Sequence, residues 1–340
     1  MAFSILWLVA AFGGGVLGAA IGALPIFILC GAAAIVGAGV NLATGSGAFS
    51  GLVAWGPVLG PQISFAGGAA ATVYAMKRGK LANGRDIASA LMGLNSPDVL
   101  LVGGLFGILG YLLWWAFANI PPIGSLGATN PIALSIVVNA CIARLAFGKT
   151  GLFGKVRAGD NRWRASEVGT WLPWMSKPSQ LLMVGLGFGV VVSYCTVQEP
   201  KLAGLWFGFA ALSLVFLQFG VKVPVWHHVA LAAEQVIAVA GADIWWGLAF
   251  ALLAVYLGEF YAMLFTAHGD NHIDPPSAAL FTTFTIMAIL KAVGAFAITG
   301  VGSFIIAVVV GAAGYGIWTV LKAGKVAGVE VTDPVVVAKA

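Results

Sequence analysis

The chain is a succession of apolar runs of about twenty residues, each broken by glycine, proline or charge, and a run of that kind is long enough to cross a bilayer as a helix. Ordinary soluble domains carry about 25% charged residues; here 9% are charged and 60% are hydrophobic. A water-facing fold could not hide that much apolar surface, and the mean hydropathy of +0.99 says the same. The fold class expected is therefore an all-α integral membrane protein. Spans are predicted near 3–22, 25–43, 58–77, 97–118, 130–148, 179–197, 201–219, 223–241, 244–265, 276–299 and 301–321. The count is ten or eleven, because only a short Gly-Ala-Leu-Pro joint separates the first two, and one of them is re-entrant if the count is ten.

The 47 glycines suit this setting, since small residues let membrane helices approach closely. Cys30, Cys141 and Cys195 are scattered through apolar stretches without a CxxC, which argues against a disulfide framework or a zinc knuckle. The opening Met-Ala-Phe-Ser has no basic region ahead of its apolar run, so no cleaved signal peptide is expected. The formal charge of +5 does not point to nucleic acid, because the basic residues gather in the loops between spans.

Those loops orient the chain. If the loop with Lys77, Arg78, Lys80 and Arg85 is cytoplasmic, alternation sends the long basic loop 149–177 to the same side, with Lys222, Lys322, Lys325 and Lys339. Lys201 alone falls outside, while Arg144 and Lys291 lie within spans, a division of 14 to one that obeys the positive-inside rule. The expected protein is multi-pass in a cytoplasmic (inner) membrane, N-terminus outside and C-terminus inside.

The two halves repeat one order of signals. Pro61-Gln62 opens an Ala-rich span in the first half, as Pro224 with His227 does in the second. Pro97-Asp98-Val99 opens the next span, with Tyr111 13 residues beyond Asp98; Ala242-Asp243-Ile244 is followed by Tyr256 at the same offset. Asn130-Pro131 and Asp274-Pro275-Pro276 open the last. Five spans per unit is an odd number, so a five-plus-five inverted repeat with an extra C-terminal helix is expected. Its parts are a first repeat at 1–148, a basic cytoplasmic loop at 149–178, an inverted repeat at 179–299, the extra helix at 300–321 and a cytoplasmic tail at 322–340. Transporters and channels recur on such plans, with substrate handled where the repeats meet. With its outside N-terminus and one extra C-terminal helix, the layout resembles that of the ammonium transporters. Their sequence motifs are absent, so the likeness is one of topology and implies only the general plan.

Candidate site residues divide into caps and charges. Asp98, Asp243, Asn130 and Asp274 stand at predicted helix starts, where a side-chain oxygen can cap free N–H groups and a carboxylate suits the dipole; Pro131 and Pro275 take the favoured first-turn position. Helix starts buried in a transporter also face its substrate site. Glu234, Glu259 and Lys291 lie inside spans, where a charge costs at least about 2.5–3.5 kcal/mol and needs compensation. At 1.5 Å per residue Glu234 lies roughly 16 Å and Lys291 roughly 22 Å from the inner ends of their spans, so the two are expected to pair near the midplane, with Glu259 roughly 10 Å from that end. The alternatives are a structural ion pair and a proton or ion relay.

All four histidines fall in the second half, as His227-His228 and in His268-Gly-Asp270-Asn271-His272-Ile-Asp274. Histidine with carboxylate binds transition metals or moves protons near neutral pH, which makes His268, Asp270 and His272 candidate metal ligands. The corresponding places in the first half hold Gln62 and Asn130, both neutral. Phosphate loops, nucleophile elbows and zinc-protease motifs are absent, so a self-contained ATP-driven pump is disfavoured.

The reading is a secondary transporter or channel for a small solute or ion, with proton or cation coupling as an option. Gln62, Asp98 and Asn130 would line one part of its site; His227, His228, Glu234, Asp243, Glu259 and Asp274 would line the other, with Lys291 as counter-charge. Membrane lipid, the solute and a second copy of the chain are the expected partners, and nucleic acid is not. The rivals are a membrane subunit of an enzyme complex using the His/Asp cluster for metal or proton transfer, and a structural scaffold.

Overall fold

The computed structural model describes residues 2–323 and is helical throughout, with no strand among those residues. Twelve α-helices follow one another: α1 Ile5–Ile21, α2 Ala23–Thr44, α3 Ser64–Lys77, α4 Pro97–Ala118, α5 Pro131–Phe147, α6 Pro178–Gln198, α7 Leu205–Leu212, α8 Val215–Gln218, α9 His227–Ala238, α10 Ile244–Tyr261, α11 Pro275–Ala292 and α12 Val301–Leu321. The tail, with Lys325 and Lys339, lies outside the described residues.

Among the described residues, six segments are long and apolar enough to cross a membrane: Ala23–Thr44, Pro97–Ala118, Pro178–Gln198, Pro200–Gln218, Ile244–Thr266 and Val301–Leu321. The protein is thus a multi-pass membrane protein. Ile5–Ile21 and Pro131–Phe147 are apolar but shorter. Lipid contact fits the exterior, where Leu6 is 81%, Phe219 76% and Val301 75% exposed. A helix satisfies its own backbone groups, which is why such surfaces are tolerated in hydrocarbon.

Two predicted spans are much shorter than expected. The run 58–77 is helical only from Ser64, and the run 223–241 only over His227–Ala238. At 1.5 Å per residue these helices reach roughly 21 and 18 Å, less than the roughly 30 Å of a bilayer core. The cause is local. Pro57 and Pro61 lie in the tight turns that lead into α3, and Pro224 lies in the irregular approach to α9; none of the three prolines can donate a helical hydrogen bond. Gly79 (φ +70°) and Gly241 (φ +72°) then stop the two helices in the left-handed region. At the other uncertain joint, α1 and α2 are separate helices hinged at Gly22 (φ +104°).

Packing follows the same scheme in each half. α1 packs on α3 and α4, α3 on α4 and α5, and α4 on α5; likewise α6 packs on α9 and α10, α9 on α10 and α11, and α10 on α11. The halves meet through α2 with α7 and α5 with α11, elements that hold the same place in each set. α2 and α7 cross where both lack a side chain: a Cβ on Gly31 would lie 2.9 Å from the Gly208 carbonyl oxygen, and one on Gly208 would lie 2.9 Å from that of Gly31. Tyr111 and Tyr256 also match. The Tyr111 hydroxyl accepts from the Ser4 N–H at the start of α1 (2.8 Å), and the Tyr256 hydroxyl reaches the Pro178 carbonyl at the start of α6 (3.5 Å).

The basic loops converge on one face. The Lys155 N–H donates to the His268 carbonyl (2.8 Å), Trp174 Nε1 to that of Val223 (3.0 Å), and Lys322 Nζ to that of Ser176 (2.5 Å). Arg144, fully buried at the end of α5, ties the assembly together. Its guanidinium donates to the carbonyl oxygens of Leu152, Phe265 and Asn271, each at 2.8 Å, and to the Asn271 side chain.

Candidate functional site

Where the short helices begin, the interior is hollow. A cavity of about 330 Å3 is lined by His227 at the start of α9, by Asp274 and Ser277 at the start of α11, and by Phe27, Arg85 and His272. A second, of about 260 Å3, is lined by Pro61 just ahead of α3, by Asn130 and Ile132 at the start of α5, and by Trp55, Phe207 and Gln235. Phe27, Ile136, His227 and Ser277 line both, so they form the partition. The first cavity also shares Asn83, Arg85 and Trp171 with a wide vestibule of about 1300 Å3 on the basic face.

The partition is aromatic. The His227 ring lies 4.8 Å from Phe27 and 5.9 Å from Phe207, centroid to centroid, and Phe207 lies 4.9 Å from Trp55. His227 Nδ1 is buried without a hydrogen-bond partner. An unpaired buried polar atom costs about 1–3 kcal/mol, so a ligand or water that met this nitrogen would recover that cost. On the basic side, Asp274 is held firmly: one carboxylate oxygen accepts from the Ser277 N–H (2.8 Å) and hydroxyl (2.6 Å), and the other faces His272 Nε2 at 3.1 Å.

A family model described as "Family of unknown function (DUF7973)" matches twice, over residues 1–162 and 154–305. The chain belongs to this family. The first DUF7973 segment contains α1 to α5 and the second contains α6 to α11, so the repeated packing scheme coincides with the repeated match. The partition itself draws Phe27 and Ile136 from one DUF7973 segment and His227 and Ser277 from the other. Comparison with curated proteins and with solved structures gives no match.

Not all the candidate residues expected from the sequence converge on these cavities. Asn130, His227, His272 and Asp274 line them. Asn130 caps α5 through Ala133 N–H (3.0 Å), Asp274 caps α11, and Asp243 caps α10 through Trp245 and Trp246 N–H (3.1 Å each) while binding the Ser303 hydroxyl (2.6 Å) at the start of α12. Asp98 is not the cap of α4. It sits in the first turn, beside Arg78 (3.4 Å) and the Tyr74 hydroxyl (3.2 Å). Gln62 is buried, with Nε2 donating to the Trp55 carbonyl (2.8 Å) and Oε1 unpaired. His228 is buried against Gly258 with neither ring nitrogen paired.

The pairing expected of Glu234 and Lys291 is not formed. Lys291 Nζ donates to the Ala240 carbonyl (2.6 Å) just past the end of α9. The fully buried Glu234 carboxyl instead faces the backbone N–H groups of Gly204, Trp206 and Phe207 at the start of α7, without meeting hydrogen-bond geometry. Counting depth along a helix does not fix the direction in which a side chain points, and here the two point to different neighbours. Glu259 pairs with Lys322, both side chains well buried.

The candidate metal ligands are also apart. His268 Nε2 meets the Arg162 carbonyl (3.2 Å), Asp270 accepts from the Thr150 hydroxyl (2.8 Å) and the Lys149 N–H, and His272 faces Asp274. Among the described residues no three His, Cys, Asp or Glu side chains are placed to hold a metal ion. The spacing in the loop 268–274 brings them near in sequence, but each side chain has its own partner. Sequence reasoning missed Phe27 and Arg85. Phe27 carries no signal beyond being one apolar residue among many, and Arg85 had been counted only as a topological charge.

Proposed function

We propose that the protein is a secondary transporter or channel that moves a small solute across the membrane through the vestibule and the two inner cavities. The observation that carries this reading is the shared partition: two cavities, each at the start of a short interrupted helix, separated by Phe27, Ile136, His227 and Ser277. A side-chain partition of this size is a barrier that rotamer changes or a small shift between the halves can open, and interrupted helices of this kind line the substrate sites of many transporters.

The double family match and the matched packing support a two-fold plan in which α2 meets α7 and α5 meets α11. The reading takes the second copy as inverted, because an inverted pair supplies two equivalent half-paths that open to opposite faces. The basic residues around the vestibule support a cytoplasmic assignment for that side. His227, the one titratable group in the partition, is the coupling candidate if a proton gradient drives movement.

The test is flux in proteoliposomes holding the purified full chain, across a panel of small ions, acids and amines, with and without an imposed pH gradient. Flux of at least one solute that falls in His227→Ala is expected. No flux for any member of the panel would sink the transport reading.

A further inference from the structure

The vestibule on the basic face is lined by five permanent cations, Arg85, Lys155, Arg157, Lys177 and Lys222. Against them stand two carboxylates, Glu167 and Asp270. Asp270 is already engaged by the Thr150 hydroxyl and the Lys149 N–H. None of the five cations is in an ion pair among the described residues, where the ion pairs are Arg78–Asp98, His272–Asp274 and Lys322–Glu259.

Arg85 has a special place among them, because it lines both the vestibule and the inner cavity and so stands in the neck between them. Its half-buried guanidinium makes no hydrogen bond or ion pair with the described residues. Arg157 is close enough to repel it, and burial together with that neighbour lowers the Arg85 guanidinium to about 10, which still leaves it charged at neutral pH. The two guanidinium groups line one vestibule without a carboxylate partner, Arg157 Nη1 donating only to the Ala267 carbonyl (3.3 Å), and such a pair favours an anion. Beyond the neck, the cavity wall carries the start of α9, whose first-turn N–H groups favour negative charge. The carboxylate that lines this cavity, Asp274, has its oxygens taken up by Ser277 and His272.

We propose that the solute is a small anion, a carboxylate or inorganic oxyanion, gathered by the basic vestibule with its Arg157 and passed through the neck by Arg85. The inference rests on the transport reading and names its substrate class. Cations focused in a low-dielectric mouth raise the local anion concentration, and a planar guanidinium fork matches the geometry of an oxyanion.

The same chemistry would also seat the phosphate of an anionic lipid, so the test has two arms. In the first, thermal unfolding of the purified full chain in neutral detergent is followed with inorganic phosphate, sulfate, acetate and phosphatidylglycerol as probes. In the second, anion and cation fluxes are measured in phosphatidylcholine vesicles. Soluble anions should raise the unfolding temperature, and anion flux should fall about tenfold or more in Arg85→Gln and in Arg157→Gln, with partial retention in Arg85→Lys. Lys201→Gln, away from the vestibule, serves as the control that keeps full flux.

Protein-dependent flux of a cation, with no anion flux and no change in Arg85→Gln, would overturn the anion assignment and leave transport standing. Stabilisation by phosphatidylglycerol alone would make the site a lipid seat and overturn the solute assignment. Anion binding without flux of any solute would overturn the transport reading, and with it passage through the neck.

Discussion

Phe27 and His227 come from different halves of the chain and stand ring to ring, centroids 4.8 Å apart and planes at 58°. Phe27 belongs to α2 and His227 is the first residue of α9, so the contact depends on α2 packing beside α7 and α3. Both rings line both inner cavities. The partition is therefore a joint between the two halves.

Removing the Phe27 ring should merge the cavities. Phe27→Ala is expected to raise passive, gradient-independent leak several-fold in proteoliposomes, while lowering stability by roughly 3–5 kcal/mol as a buried aromatic truncation does. Stopped-flow efflux alongside detergent unfolding would show both effects. A variant that unfolds earlier yet leaks no more than wild type would remove Phe27 from the barrier.

The Glu259–Lys322 pair offers a second check, because it anchors α10 to the end of α12 in a buried place. Lys322→Met leaves the Glu259 carboxylate buried and unpaired, which should cost about 3–5 kcal/mol. The double variant Glu259→Leu with Lys322→Met should recover most of that loss, since it removes both charges. Unfolding curves for the single and double variants would read the coupling directly. Equal stability of the two variants would mean that the carboxylate left alone carries no burial cost.

The crossing of α2 and α7 tests the joint between halves. A Cβ at Gly31 would sit 2.7 Å from Leu212 N and 2.9 Å from the Gly208 carbonyl, against backbone that cannot move aside cheaply. Gly31→Val is expected to destabilise by about 1–3 kcal/mol or more through overpacking. Gly39, on the same helix with open space around it, should accept alanine without loss. Thermal unfolding of the two variants side by side, with chromatographic profile as a control for aggregation, would decide it; equal tolerance at both glycines would deny the close crossing.

Much of the architecture was legible because its signals are local. Asn130, Asp243 and Asp274 read as caps and are caps, since an Asx residue ahead of a proline or an apolar run needs only its own next turn to act. Asp98 departs because Ser96 and Pro97 start the helix ahead of it and Arg78 draws its carboxylate aside. The loops carrying Lys155, Trp174 and Lys222 were expected together and line one vestibule, as loops whose charge excludes them from hydrocarbon can whatever their tertiary partners.

Arg144 and the two Ala-rich runs mark where that reasoning ends. A lone arginine in an apolar run announces that something must compensate it, but its partners are carbonyls of Leu152, Phe265 and Asn271, and Asn271 lies 127 positions away. The Ala-rich runs read as full spans because hydropathy averages over a window. Pro61 and Pro224 interrupt the backbone within them, and that shortening leaves room for the cavities.

The amino-acid sequence by itself determined the membrane setting, the helical class, the caps and the repeated order of signals. Each of these follows from the free energy of a short segment against water or hydrocarbon. Only the tertiary structure decided that Glu234 and Lys291 part company, that Phe27 faces His227 and that Arg85 stands unpaired in a neck. Those outcomes depend on the lateral packing and rotation of helices far apart in the chain, and no local free energy specifies them.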